Sequence, residues 1–263
     1  MVEFGWGGYE PHLVCVDRSD DSTNTMDLDD VDYIFSELKM CTGFFEEGRH
    51  KRCPDEARVS RFSQCANCAE ESFIPYQECV FEPKCDGELC DVDFCKREHV
   101  LYLAFYNTRV KIGMSSTRRL EERLIEQGAD AYALIASLPT RRRTRTAEKE
   151  ISARLRIPQA FRQRTLLDDF TKHIDPKSIE DQFTTLAASL EKHFDMRPDK
   201  LRWLDSYPIE LPIDRKPLLR ETPGRHRGEL VGIKGKWLIY RSDAVYALSL
   251  ADAPARYVGR GRG

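Results

Sequence analysis

A chain of 263 residues with 41% hydrophobic and 10% aromatic content is long enough to bury more than one core and too apolar to be disordered. The net charge is only -3, yet residues 1–98 hold 10 Lys and Arg against 23 Asp and Glu, residues 99–164 hold 14 against 6, and residues 165–263 hold 17 against 15. An acidic head joined to a basic middle points to an anionic partner such as nucleic acid, or to two segments that attract one another.

The N-terminal stretch MVEFGWGGYEPHLVCVD has neither a basic run nor a continuous apolar segment, and the longest apolar run, Ala131 to Leu138, is too short to cross a bilayer. The expectation is a soluble cytoplasmic protein with no membrane partner. In such a compartment disulfides are disfavoured, so clustered cysteines point to metal. Eight of the nine cysteines fall between positions 41 and 95. Cys65 and Cys68 form a Cys-x-x-Cys knuckle, Cys41 and Cys53 supply a second pair, and Cys79, Cys85, Cys90 and Cys95 make a second set of four. Two structural zinc ions would use all eight thiolates, since each takes four ligands tetrahedrally. Interleaved pairing, an iron–sulfur cluster, and His50 or His99 in place of a thiolate stay open.

From His99 the texture changes. "HVLYLAFY" and "RVKIG", separated by Asn107-Thr108, read as a β-hairpin. Ser115 or Ser116 is expected to cap a helix that carries Leu120, Leu124 and Ile125 on one face and stops at Gly128. "AYALIASLP" reads as a strand, and a second helix from about Thr144 to Leu155 places Ala147, Ile151 and Leu155 on one face. Arginine dominates the stretch 141–164, with eight arginines and one lysine against two glutamates, which suits bidentate phosphate contact or a solvated basic face.

Further on, Asp175-Pro176 reads as a cap and first helical residue, and Ile179, Phe183, Leu186, Leu190 and Phe194 recur at helical spacing. A proline-rich connector follows. From Gly228 glycine-punctuated strands suggest a small antiparallel sheet or barrel, completed by "HLVCVD" from the N-terminus, with Trp237 and Tyr240 as core residues and "GRGRG" as a basic tip. The domains expected are therefore an acidic Cys-rich head over 1–98, an α/β module over 99–164, a helix and connector over 165–204, and a β domain over 205–263. The fold class is α+β.

The stretch "VLYLAFYNTRVKIG", followed by an arginine-bearing helix, a strand and a helix with an internal glutamate, resembles the GIY-YIG nuclease domain. That resemblance implies a small α/β sandwich that cleaves phosphodiesters with Mg²⁺ or Mn²⁺. Carried onto this chain, it places Tyr102 as the first-motif tyrosine, Gly113 as the second-motif glycine, Arg123 as the helical arginine with Arg119 as second choice, and Glu148 as the metal-binding glutamate with Glu150 as its rival. Lys111 stands where the second motif has tyrosine, as in the branch that reads "KIG", and this puts catalysis in question. Lys111, Ser115, Arg119, Arg142, Arg143 and Arg154 are the candidate contacts to DNA or RNA, and no small-molecule cofactor is expected. The whole chain is also similar to an uncharacterised prokaryotic family known only as a domain of unknown function. Two functions follow: a divalent-metal-dependent endonuclease on a zinc-stabilised scaffold, or a zinc-containing DNA- or RNA-binding module that has lost catalysis.

Overall fold

The computed structural model describes residues 3–17, 19–70, 79 and 93–261. The chain divides into two compact units: Met1–Glu82 with Pro217–Gly263, and Pro83–Lys216. Among the described residues no helix is long and apolar enough to cross a membrane.

The first unit opens with β1 (Glu3–Gly7), β2 (Glu10–Val16) and β3 (Thr23–Asp27), an antiparallel meander that buries Phe4, Trp6 and Leu13. Next come β4 (Val31–Lys39), the short hairpin β5 (Phe44–Glu46) and β6 (Arg49–Lys51), and α1 (Ala66–Glu70). Period-two alternation in β4 buries Val31, Tyr33 and Phe35 on one face and leaves Ile34 and Leu38 exposed on the other.

The second unit holds α2 (Asp93–Lys96), β7 (His99–Tyr106), β8 (Arg109–Ser116), α3 (Leu120–Gln127), β9 (Ala131–Leu138), α4 (Arg141–Leu155), α5 (Gln163–Leu167), α6 (Pro176–Phe194) and the two-residue β10 (Arg202–Trp203). Its antiparallel sheet runs β10-β9-β7-β8, with the inner strand β7 paired on both edges and buried at every position. Leu101, Leu103 and Phe105 meet Ile112, Ile135, Ile151 of α4 and Ile179 and Leu190 of α6 in one core. The expected helix signals operate here: Asp175 accepts from the Ser178 N–H with Pro176 next to it, and Gly128 ends α3 in the left-handed conformation at φ 75°. The proline-rich connector wraps this unit, burying Leu204, Tyr207 and Ile213, with the Tyr207 hydroxyl donating to the Ala129 carbonyl at 2.8 Å.

One local expectation fails. Neither Ser115 nor Ser116 caps a helix: β8 stays paired with β7 as far as His99↔Ser116, and a 3₁₀ turn at Thr117–Arg119 intervenes before α3 without a side-chain cap. The ladder engages both serines before a helix can begin. Instead Thr140 caps α4, accepting from the Arg143 N–H, and that helix starts three residues earlier than the spacing suggests.

The chain then returns to the first unit through β11 (Leu218–Arg220), β12 (Gly224–Lys234), β13 (Trp237–Arg241), β14 (Val245–Ser249) and β15 (Arg256–Arg260). They form a six-stranded sheet in the order β11-β14-β13-β12-β4-β15. The N-terminal strand that completes this sheet is β4, whereas "HLVCVD" lies in β2 between β1 and β3. Head and tail thus share one sheet, through β4 in place of the expected strand, and β12 is long enough to pair with β4 through its first half and β13 through its second.

Candidate functional site

Among the described residues two clusters of candidate side chains stand out, one in each unit. In the first, Cys41 follows the end of β4, where its N–H donates to the Ala57 carbonyl at 2.7 Å. The β5–β6 hairpin brings the chain back to Cys53. Gly43 is required there, since its φ is +74° and a β-carbon would come within 2.0 Å of the Lys51 carbonyl oxygen. Cys65 and Cys68 stand at the start of α1, where Ala69 N–H donates to the Cys65 carbonyl.

The thiol sulfurs of Cys41, Cys53, Cys65 and Cys68 all lie within 4.8 Å of one another, close enough to hold a metal ion. A tetrahedral ion with sulfur ligands at about 2.3 Å has edges of roughly 3.8 Å. The Cys53–Cys65 sulfur separation is 3.8 Å. Cys41 Sγ also accepts N–H bonds from Cys65 at 3.2 Å and Gly43 at 3.5 Å, donors that favour a thiolate. Burial pushes the Cys41 and Cys68 thiols up; burial acts the same way on Cys65, but hydrogen bonds from Cys68 and the neighbouring thiols hold it below its ordinary value. Four sulfurs this close cannot all ionise without a cation among them, so the donor set fits a soft or borderline divalent ion.

His50 is not in this ligand group; its Nε2 engages the Thr42 carbonyl at 2.6 Å. His99 lies in the other unit, with Nδ1 on the Arg97 carbonyl at 2.8 Å. Of the second expected set, Cys79 and Cys95 are described, while Cys85 and Cys90 lie outside the described residues.

The second cluster is built on β7 and β8. Their register sets Tyr102 opposite Gly113 and Ala104 opposite Lys111, so Tyr102, Gly113 and Lys111 share one sheet face. A β-carbon on Gly113 would come within 2.7 Å of the Tyr102 hydroxyl and ring. This close approach, within a strand rather than at a turn, is what the glycine of "VKIG" serves. Because Tyr102 is buried and cannot swing away, Gly113→Ala is expected to cost about 1–3 kcal/mol of overpacking, read as a lowered denaturation midpoint.

Arg123 and Gln127 of α3 approach Tyr102. Burial holds its phenol above the ordinary value, with Arg123 and Gln127 pulling the other way, so at neutral pH it is a hydroxyl and not a phenolate base. Gln127 Oε1 accepts from Lys111 Nζ at 2.5 Å and from the Tyr106 hydroxyl at 3.3 Å. Glu148 of α4 is 3% exposed and accepts from Arg145 Nη1 at 2.5 Å; the same nitrogen donates to Gln159 Oε1 at 2.8 Å. Burial pushes the Glu148 carboxyl up, while Arg145, Arg123 and Lys111 pull it down.

Tyr102, Arg123, Glu148 and Lys111 therefore come together from four elements. Between the rivals, Glu148 is inside and Glu150 is exposed; Arg119 turns to Glu122 and Glu126 of its own helix, both at 3.1 Å. Arg142, Arg143 and Arg154 line the exposed side of α4, and Ser115 is buried in β8. Arg145, Gln127 and Gln159 belong to the cluster without having been singled out in the sequence. Arg145 carried a signal, its i,i+3 spacing from Glu148, whereas the two glutamines carried none.

The divalent ion that the resemblance implies for Glu148 would have to share this carboxylate with Arg145. Among the described residues the four cysteines are the one group of three or more side chains able to ligate a metal together. Glu148 stands outside it and is already engaged by a guanidinium.

Residues 30–251 match the family model described as "Protein of unknown function (DUF2797)". The chain belongs to the DUF2797 family. The match runs from just before β4 to just after β14, so the DUF2797 region contains both the four-cysteine group and the Tyr102–Glu148 cluster. Comparison with curated proteins and with solved structures gives no match.

Proposed function

We propose that this DUF2797 chain binds nucleic acid, with its cysteine group holding a structural zinc ion and its second unit presenting a GIY-YIG-like cluster to the phosphodiester backbone. The observation that carries the reading is the company of Glu148: one buried carboxylate with Arg145, Arg123 and Lys111 acting on it. One negative charge against three positive ones leaves an anion-seeking site, and the exposed Arg142, Arg143 and Arg154 extend the same sign along α4. Tyr102, buried beneath this face, contributes a neutral hydroxyl beside Arg123. Zinc is favoured at the four cysteines by a donor set of four sulfurs within 4.8 Å of one another, the number and kind that a tetrahedral structural site takes.

A second reading, phosphodiester hydrolysis of the GIY-YIG kind, is supported by the convergence of Tyr102, Arg123 and Glu148, the residues that the resemblance nominates. In that reading Arg123 would face charge developing on phosphorus and Tyr102 would orient water. Both readings are tested with labelled single- and double-stranded DNA and RNA, with and without Mg²⁺ or Mn²⁺, comparing the native chain with Glu148→Gln. Binding without cleavage in both proteins is the expected outcome. Cleavage that vanishes in Glu148→Gln would establish the nuclease, and no binding at low salt would sink both readings.

A further inference from the structure

Resting on the nucleic-acid reading, we infer that Arg145 fills the place a divalent cation would take beside Glu148, so that the cluster holds a backbone phosphate with side-chain cations alone. The geometry is that of a substituted ion. A carboxylate buried to 3% exposure needs a positive partner, and Arg145 Nη1 sits between Glu148 Oε2 at 2.5 Å and Gln159 Oε1 at 2.8 Å, bridging two oxygens as a metal would. Arg145 is itself largely covered, with its side chain 20% exposed, so the pair is screened poorly by water and does not exchange as a surface ion pair does.

The surroundings then favour an anion over a metal. Lys111, tied to Gln127, and Arg123, beside the Tyr102 hydroxyl, both act on the same carboxylate. A divalent ion arriving there would meet one carboxylate already neutralised and two further cations. A phosphate would meet the reverse, with the planar guanidinium forks of Arg145 and Arg123 suited to paired oxygens. Lys111 in place of the second-motif tyrosine adds charge in the same sense, which gives that substitution a purpose within the cluster.

The test uses the full chain loaded with zinc, freed of other metals, and titrated calorimetrically with inorganic phosphate and, separately, with Mn²⁺. The native protein is expected to bind phosphate in the absence of any added metal, and to take up Mn²⁺ no differently from Glu148→Gln. In Arg145→Gln, phosphate affinity is expected to fall about ten- to a hundredfold, as for loss of a charged hydrogen-bonding partner, and a Mn²⁺ site to appear that Glu148→Gln removes from the double variant. Arg145→Lys, which keeps the charge, guards against misfolding and is expected to retain phosphate binding more nearly. Mn²⁺ uptake by the native chain that Glu148→Gln abolishes would overturn the inference, as would phosphate affinity indifferent to Arg145. Phosphate binding with this dependence but no oligonucleotide binding would support it while removing the nucleic-acid reading.

Discussion

On the zinc reading, replacing Cys65 with serine or treating the native chain with a strong chelator is expected to melt residues 40–70 while leaving the six-stranded sheet of the same unit folded. The reason lies in how little else holds that segment. Its buried side chains are Cys53, Cys68 and Ala69, with Phe45 49% exposed, and its connections are a hairpin of two three-residue strands, a five-residue helix and scattered loop hydrogen bonds. No apolar core competes with the entropy of ordering about thirty residues. Thiolate-bound zinc supplies about 10–16 kcal/mol in small peptides, more than enough to decide the balance. The sheet, by contrast, has its own core in Tyr33, Phe35, Leu238, Tyr240, Leu248 and Leu250. Hydrogen exchange makes the distinction: protection lost from residues 40–70 and kept in β4 and β13 is the expected pattern, and uniform loss or no change would contradict it.

Glu148→Ala is expected to destabilise the second unit by about 3 kcal/mol, the lower part of the range for breaking a buried ion pair by removing one partner. The loss arises because Arg145, largely covered, would keep its charge with the carboxylate gone and with Arg123 and Lys111 close to that same position. Removing both partners should be milder. Glu148→Ala combined with Arg145→Ala is expected to recover roughly 1 kcal/mol or more relative to Glu148→Ala alone, measured as a double-mutant cycle in denaturant unfolding. Simple additivity would mean that the two side chains do not depend on one another. Glu148→Gln keeps the shape and one acceptor oxygen, which is why it and not the alanine variant suits functional assays.

Much of this architecture was legible because it is local. The hairpin of β7 and β8, the return strand β9, the helices α3, α4 and α6 and the cap at Asp175 each follow from patterns within a dozen residues. The four-cysteine group was legible for a chemical reason, since a knuckle and two further thiols in a short segment have few other uses. Long-range pairing was not legible. Nothing in "VDYIFSELK" announces that its partners are Gly224–Gly228 on one side and Arg256–Arg260 on the other. The serines before α3 misled because Ser serves equally at a helix cap and at the end of a ladder, and only tertiary pairing decides. Within the second cluster, the candidate residues were named by resemblance, but the ring of Tyr102 lying over Gly113 and the clamp of Arg145 on Glu148 emerge only from side-chain packing.

The most direct measurement is the affinity of the full zinc-loaded chain for single-stranded and duplex oligonucleotides as a function of salt, with Arg123→Ala and Arg145→Gln compared to the native protein. Affinity should fall steeply as salt rises, with a log–log slope near -0.7 per phosphate contact for single strands or -0.9 for duplex DNA. Each variant should bind more weakly with a slope shallower by about one contact. Absence of binding at low salt, or binding whose affinity and slope neither variant alters, would show that the Tyr102–Glu148 cluster is not where this protein meets nucleic acid.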